Sequence, residues 1–197
     1  MLPRGAAVVL LAPLIVLSER QSLAYRDATT LWTRTVALNP QSWMVHENLG
    51  QSLEADRKYG AAQREYVAAT KASPGEADAW WRLAEFESSH GDPLDAEADD
   101  RKALAADPNH LRARFDLARM LLDPHRPGGA DVGAGESELV DLIRRDPTGV
   151  EPHVQLGLLM LHEGQRQEAS VQFATALRLD PSSEVARRGL REAAGGF

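Results

Sequence analysis

The stretch "ALNPQSWMVHENLG", residues 37–50, reads as the end of one helix, a turn at Asn39 and Pro40, and the entry to a second helix. Proline disfavours helical conformation in the residue before it and lacks an amide donor, so Pro40 can end a helix and set the turn into the next. The same four-residue ending recurs as "KASP", "AADP", "RRDP" and "RLDP", placing prolines at 40, 74, 108, 147 and 181 with spacings of 34, 34, 39 and 34 residues. A period of two short helices plus turns marks an internal repeat.

Composition agrees with helices. The chain has 197 residues, 43% of them hydrophobic, which is enough to bury a core. Aromatics are only 6%, while alanine is abundant and arginine outnumbers lysine, a bias that suits helices in close contact. The net charge of -7 argues against a nucleic-acid partner, which needs a basic patch to displace phosphate counterions. The absence of cysteine excludes disulfides and thiolate chemistry and leaves the redox compartment open.

With units started at Trp43, Ala77, Leu111 and Val150, the eighth place holds Gly50, Ala84, Ala118 and Gly157. Ala62, Ala96 and Ala169 share the twentieth place, and Ala69, Ala103 and Ala176 the twenty-seventh. Small residues belong where two antiparallel helices approach, with large ones filling the gaps. Leu49, Leu83, Leu117 and Leu156 at the seventh place are such fillers, joined by Tyr59, Tyr66 and Phe173.

This arrangement resembles the tetratricopeptide repeat family over residues 43–183, with Trp80 at a fourth place and Asn48, Leu49 and Gly50 as an "NLG" signature. The expected fold is all-α: a right-handed α-solenoid preceded by a short N-terminal hydrophobic helix. The expected organisation is a hydrophobic segment over 1–24, a leading half-repeat helix over 25–42, repeats over 43–76, 77–110, 111–149 and 150–183, and a capping helix and tail over 184–197. The third unit departs from the pattern, with Gly135 and Leu142 in place of two alanines and a stretch rich in glycine and proline, residues 123–136, that should loop out. Drift explains that insertion better than a partner contact.

The apolar stretch "AAVVLLAPLIVL", residues 6–17, stands apart. As a helix, residues 5–18 would rise about 21 Å, short of the roughly 30 Å hydrocarbon core. That length suits a secretory signal with Arg4 before it and small residues at Ser22 and Ala24, while an anchor, or the end of a larger membrane domain, stays open. Each alternative puts the repeats outside the cytoplasm, as a periplasmic or lumenal region, with secretion after cleavage as the other outcome. Residues 20–50, with "YRDATTLW" joined to "NPQSWMVHENLG", also resemble the junction between the last membrane helix and first repeat of the transmembrane, tetratricopeptide-containing O-mannosyltransferase-like proteins. That resemblance implies a catalytic glycosyltransferase part upstream, with no transferase residue in this chain.

The resemblance to tetratricopeptide arrays implies a concave ligand surface lined by the first helix of each unit. Its candidates are Asn48, Gln51, Trp81, Arg82, Glu85, Arg112, Phe115, Arg119 and Gln155. Arginine, aromatic and amide side chains together suit an extended protein or peptide ligand, since amides can hold its backbone and arginine its carboxylates. Trp80 is expected to fill the core, leaving the adjacent Trp81 to face the ligand. Six histidines invite a metal reading, but neither "HENLG" nor "LHEGQ" has the second helical histidine of a zinc hydrolase motif. The run Asp95, Glu97, Asp99 and Asp100 reads as a solvated outer face rather than a catalytic pair. No enzymatic activity, cofactor or metal is expected, and oligomeric state is left open.

Overall fold

A computed structural model describes residues 27–91 and 93–195. Among them run ten helices: α1 (Ala28–Leu38), α2 (Trp43–Ala55), α3 (Tyr59–Ala72), α4 (Ala77–His90), α5 (Pro93–Ala106), α6 (Leu111–Leu122), α7 (Val132–Arg145), α8 (Val150–His162), α9 (Arg166–Leu179) and α10 (Glu184–Ala193). No strand occurs among the described residues. No described helix is long and apolar enough to cross a membrane. The hydrophobic segment expected over 1–24 lies outside the described residues.

The five recurrent prolines act as helix punctuation. Each of α1, α3, α5, α7 and α9 stops two residues before its proline, and the next helix starts three residues after it. The residue between helix end and proline turns its amide back to the carbonyl four residues earlier: Asn39 to Thr35 at 2.9 Å, Asp107 to Ala103 at 2.8 Å, Asp146 to Leu142 at 2.8 Å and Asp180 to Ala176 at 2.8 Å. Asp146 and Asp180 then accept from the amide and hydroxyl of Thr148 and Ser182. Those bonds hold both carboxyls below the ordinary aspartate range.

A side-chain donor closes every one of these turns. His46 Nε2 bonds the Pro40 carbonyl at 3.0 Å, Trp80 Nε1 that of Pro74 at 2.8 Å, and Arg114 that of Pro108 at 2.9 Å. His153 reaches Pro147 at 3.4 Å and Arg187 reaches Pro181 at 2.7 Å. All five donors sit at the fourth position of their helix. Three of them also grip the following helix, through His46–Glu65 at 2.7 Å, His153–Gln172 at 2.8 Å and the Arg114–Glu138 ion pair.

The chain divides into two compact units, one ending at Leu83 and the other beginning at Ala84. In the first, α2 packs on α1 and on α3. The buried residues of α2 and α3 include Val45, Leu49 and Leu53 on one side and Ala62, Tyr66 and Ala69 on the other, with Ala62 completely buried. Gly50 is required there, because a Cβ would stand 2.8 Å from the Tyr66 ring. The Tyr66 hydroxyl donates to Glu54 at 2.8 Å, and burial first, then that bond to a carboxylate, raises its pKa.

In the second unit, neighbouring helices from α5 to α10 pack in sequence, and α10 also touches α8. Phe173 is fully buried, and Cβ atoms at Gly157 in α8 or Gly189 in α10 would both collide with its ring. The cap helix is therefore keyed to the last aromatic of the repeats. Gly135 fits the same logic, since a Cβ there would lie 2.6 Å from Leu122. Leu139 and Leu142 complete the third pair.

The insertion differs from expectation. Only residues 123–131 are loop, and Val132–Glu136 belongs to α7 despite its glycines. Asp131 explains this by accepting the Ala134 amide at 3.1 Å as a helix cap. The loop is also tied down. Arg126 makes a two-pronged bond to Glu97 of α5, at 2.7 and 3.0 Å, and donates to the Gly129 carbonyl. Gly128 and Gly129 adopt φ of 91° and 83°, values that glycine reaches without penalty.

Candidate ligand-binding faces

In the first unit the candidates converge on Glu47, a residue the sequence did not single out. Arg82 donates to Glu47 Oε1 at 2.8 Å and Gln51 to the same oxygen at 2.9 Å. The Arg82 guanidinium lies 4.6 Å from the centre of the Trp81 ring, a cation–π distance. Burial raises the Glu47 pKa, and Arg82 opposes that shift. Asn48 donates to the Met44 carbonyl at 2.6 Å. Asn48 and Gln51 line a hollow of about 300 Å³ with Trp32, Asp27, Thr29 and Asp56.

Trp81, expected to face a ligand, is buried, and Trp80, expected to fill the core, is only partly buried. Trp81 is 6% exposed, whereas Trp80 is half-buried and occupied with the Pro74 carbonyl. Trp81 supports Arg82 from below and is not a projecting aromatic. The adjacent pair could not reveal this from sequence, because it depends on which indole nitrogen finds the turn.

In the second unit Glu85 and Arg119 share a cavity of about 200 Å³ with Ser88, Ser89, Asp100, Asp116, Ala84 and Met120. Arg112 is exposed outside that cavity, and Gln155 is half-buried. Phe115 packs on the cluster of Ala118, Leu139 and Leu156, so part of its ring belongs to the core. The structure thus groups Asn48, Gln51, Trp81 and Arg82 in one unit and Glu85 with Arg119 in the other. It does not gather Arg112, Phe115 and Gln155 with them in either hollow.

The acidic run on α5 needs correction as a solvated face. Glu97, Asp99 and Asp100 are buried, at 5%, 5% and 1% exposure, and only Asp95 is exposed. Arg126 and Arg101 hold Glu97 below the usual carboxylate range. Asp99 pairs with Lys102 at 2.5 Å. Asp100 occupies the place taken by Tyr66 in the first unit and Phe173 in the fourth. Counting that place along the repeat was the available signal.

His46 and His153 are turn donors. No group of three histidine, aspartate or glutamate side chains among the described residues could hold a metal ion.

The described helices form an all-helical repeat fold, helix pairs joined by proline turns. Residues 48–110 match a tetratricopeptide repeat family model. The fold is similar to that of YrrB, a tetratricopeptide protein described as having an unusual peptide-binding site, at 17% identity and a TM-score of 0.66 over 88% of this chain and 86% of that one. It is similar to MamA at 16% identity and a TM-score of 0.68, over 83% and 93% of the two chains. A thermophilic tetratricopeptide protein of Thermus thermophilus, TTC0263, shares 26% identity over 77% of this chain and 81% of its own, with a TM-score of 0.57. No curated protein sequence matches the chain.

Proposed function

We propose that the chain is a non-enzymatic scaffold that binds an extended protein or peptide segment on the first-helix faces of its repeats. The observation that carries this reading is the Glu47 hub, which holds Arg82 over Trp81 and Gln51 beside it. A guanidinium held in place on an aromatic surface loses little entropy on meeting a carboxylate, and the neighbouring amides suit a peptide backbone. The peptide-binding description of YrrB, a protein of similar fold, supports the same reading. Arg82→Glu with Arg119→Glu should abolish binding of peptides selected from an immobilised array. Unchanged binding by that variant would overturn the assignment of these faces.

The apolar residues 6–17 support attachment of the scaffold to a membrane, with the repeats on its extracytoplasmic side. The resemblance of residues 20–50 favours a second reading, in which the repeats present an acceptor protein to a membrane glycosyltransferase domain encoded upstream. The intact mass of the native product from membrane and soluble fractions separates the possibilities. A membrane species heavier than 21.5 kDa favours the transferase, one of that mass an anchored scaffold, and a soluble species lacking residues 1–24 an exported one.

A further inference from the structure

Where the first and fourth units bury an aromatic ring and the third buries Leu139, the second unit carries a carboxyl. In the first unit the Tyr66 ring lies against Gly50, and in the fourth the Phe173 ring lies against Gly157. The corresponding pair in the second unit is Asp100 and Ala84, and a carboxyl is much shorter than a ring. The cavity of about 200 Å³ is what remains.

Asp100 is among its lining residues at 1% exposure, and neither carboxylate oxygen accepts a hydrogen bond from any described residue. Native proteins rarely leave a buried polar group so, because the missing bond is costly. Glu85 from α4 and Asp116 from α6 add two more carboxyls, against the single guanidinium of Arg119. Ala84 and Met120 supply apolar wall. The described acidic groups are not clustered tightly enough to hold a metal ion. An acidic lining with an apolar wall fits a cation carried on a methylene stem.

We propose that this cavity is a subsite for a lysine side chain of the bound peptide, with its ammonium seated on the Asp100 carboxylate. The inference deepens the peptide-binding reading and rests on it for the source of the lysine. Burial, with Asp116 and then Asp99 beside it, pushes the Asp100 carboxyl up to about 9, while Arg119 pulls it down and Glu85 adds a smaller upward push. At pH 7 the Asp100 carboxyl is therefore protonated. An arriving ammonium takes the place of that proton, and one proton leaves to solvent for each lysine bound.

The test uses Nα-acetyl-lysine methylamide and its norleucine analogue as probes of the full chain, followed by amide NMR shifts and by calorimetry in buffers of different ionisation enthalpy. The lysine probe should shift Glu85, Ser88, Asp116 and Arg119 and release close to one proton. Its affinity should rise by up to about tenfold per pH unit between pH 6 and 8. Asp100→Asn should abolish that binding. Equal shifts from norleucine, no shifts at all, pH-independent affinity in the wild type, or wild-type binding by Asp100→Asn would each overturn the subsite.

A peptide array keeps the two readings apart. If peptides bind and replacing their lysines by norleucine changes nothing, the groove stands and the lysine subsite falls. If the lysine probe seats on Asp100 while no peptide binds, the subsite stands without the groove.

Discussion

The indole Nε1 of Trp80 donates to the carbonyl of Pro74 at 2.8 Å, fastening the first turn of α4 to the proline that precedes it. Trp80 does here what His46, Arg114, His153 and Arg187 do at the other four prolines. The common property is an N–H at the end of a side chain long enough to span one helical turn. His, Trp and Arg all serve.

Trp80→Phe keeps the ring and removes the donor. It should lower unfolding free energy by about 1 kcal/mol, the usual net worth of one hydrogen bond. Trp80→Arg, which restores a donor, should recover part of that loss in urea titrations. Equal destabilisation by both variants would show that ring packing, not the bond, matters at this place.

Asp100 makes stability depend on pH in a direction opposite to that of a paired carboxylate. Its pKa is about 9 in the fold against an ordinary value of 3.8. The folded state therefore holds an extra proton between those limits, and stability falls as pH rises through that window. Asp100→Asn removes the dependence, so its advantage over the wild type should grow between pH 5 and 8 by at most about 1.4 kcal/mol per pH unit. Melting temperatures of the two proteins across that range check the sign. Parallel curves would mean that Asp100 is ionised in the fold.

Phe173 should be the costliest truncation in the second unit. It is fully buried against α8 and α10, and Phe173→Ala is expected to cost about 3–5 kcal/mol. Gly157→Ala, whose Cβ would stand 2.9 Å from the ring, should cost about 1–3 kcal/mol by overpacking. Guanidinium denaturation of the variants measures both. If Gly157→Ala unfolds like the wild type, the ring has room to move that the structure does not show.

The 123–131 loop should resist excision. Removing Gly128 to Asp131 deletes the cap of α7 and the Gly129 carbonyl that receives Arg126. Thermal unfolding should broaden and shift downward. Arg126→Ala should act in the same direction and raise the Glu97 pKa, since Arg126 is the main cause of its depression. Glu97 contributes stability above the ordinary glutamate range that is lost as pH falls through its lowered folded pKa, so the wild type should lose its advantage over Arg126→Ala in acid. An unchanged melt for both variants would return the loop to a passive insertion.

The helix punctuation was legible because proline acts through its own ring, and a local constraint survives any tertiary context. The small residues at Ala62, Ala96 and Ala169 were legible for a similar reason, since each is wholly buried where two helices approach. The loop end at Asp131 was obscured by Gly133 and Gly135, which look like breakers. Gly135 is there because Leu122 occupies the space its Cβ would need. Asp100 was misread because a charged residue on a second helix is ordinarily solvated, and only its equivalence to Tyr66 and Phe173 betrays a buried place. The Trp80 and Trp81 roles depend on hydrogen-bond geometry that composition does not carry.

The proline clamp also bears on which changes of sequence a turn of this kind absorbs. The donor six residues after the proline is His at two turns, Trp at one and Arg at two, yet each reaches the proline carbonyl. An imidazole, an indole and a guanidinium differ in shape and charge, and the turn treats them as equivalents because it asks only for an N–H at that reach. The turn is written as a bond and not as a letter, so a substitution that keeps the N–H should leave it closed.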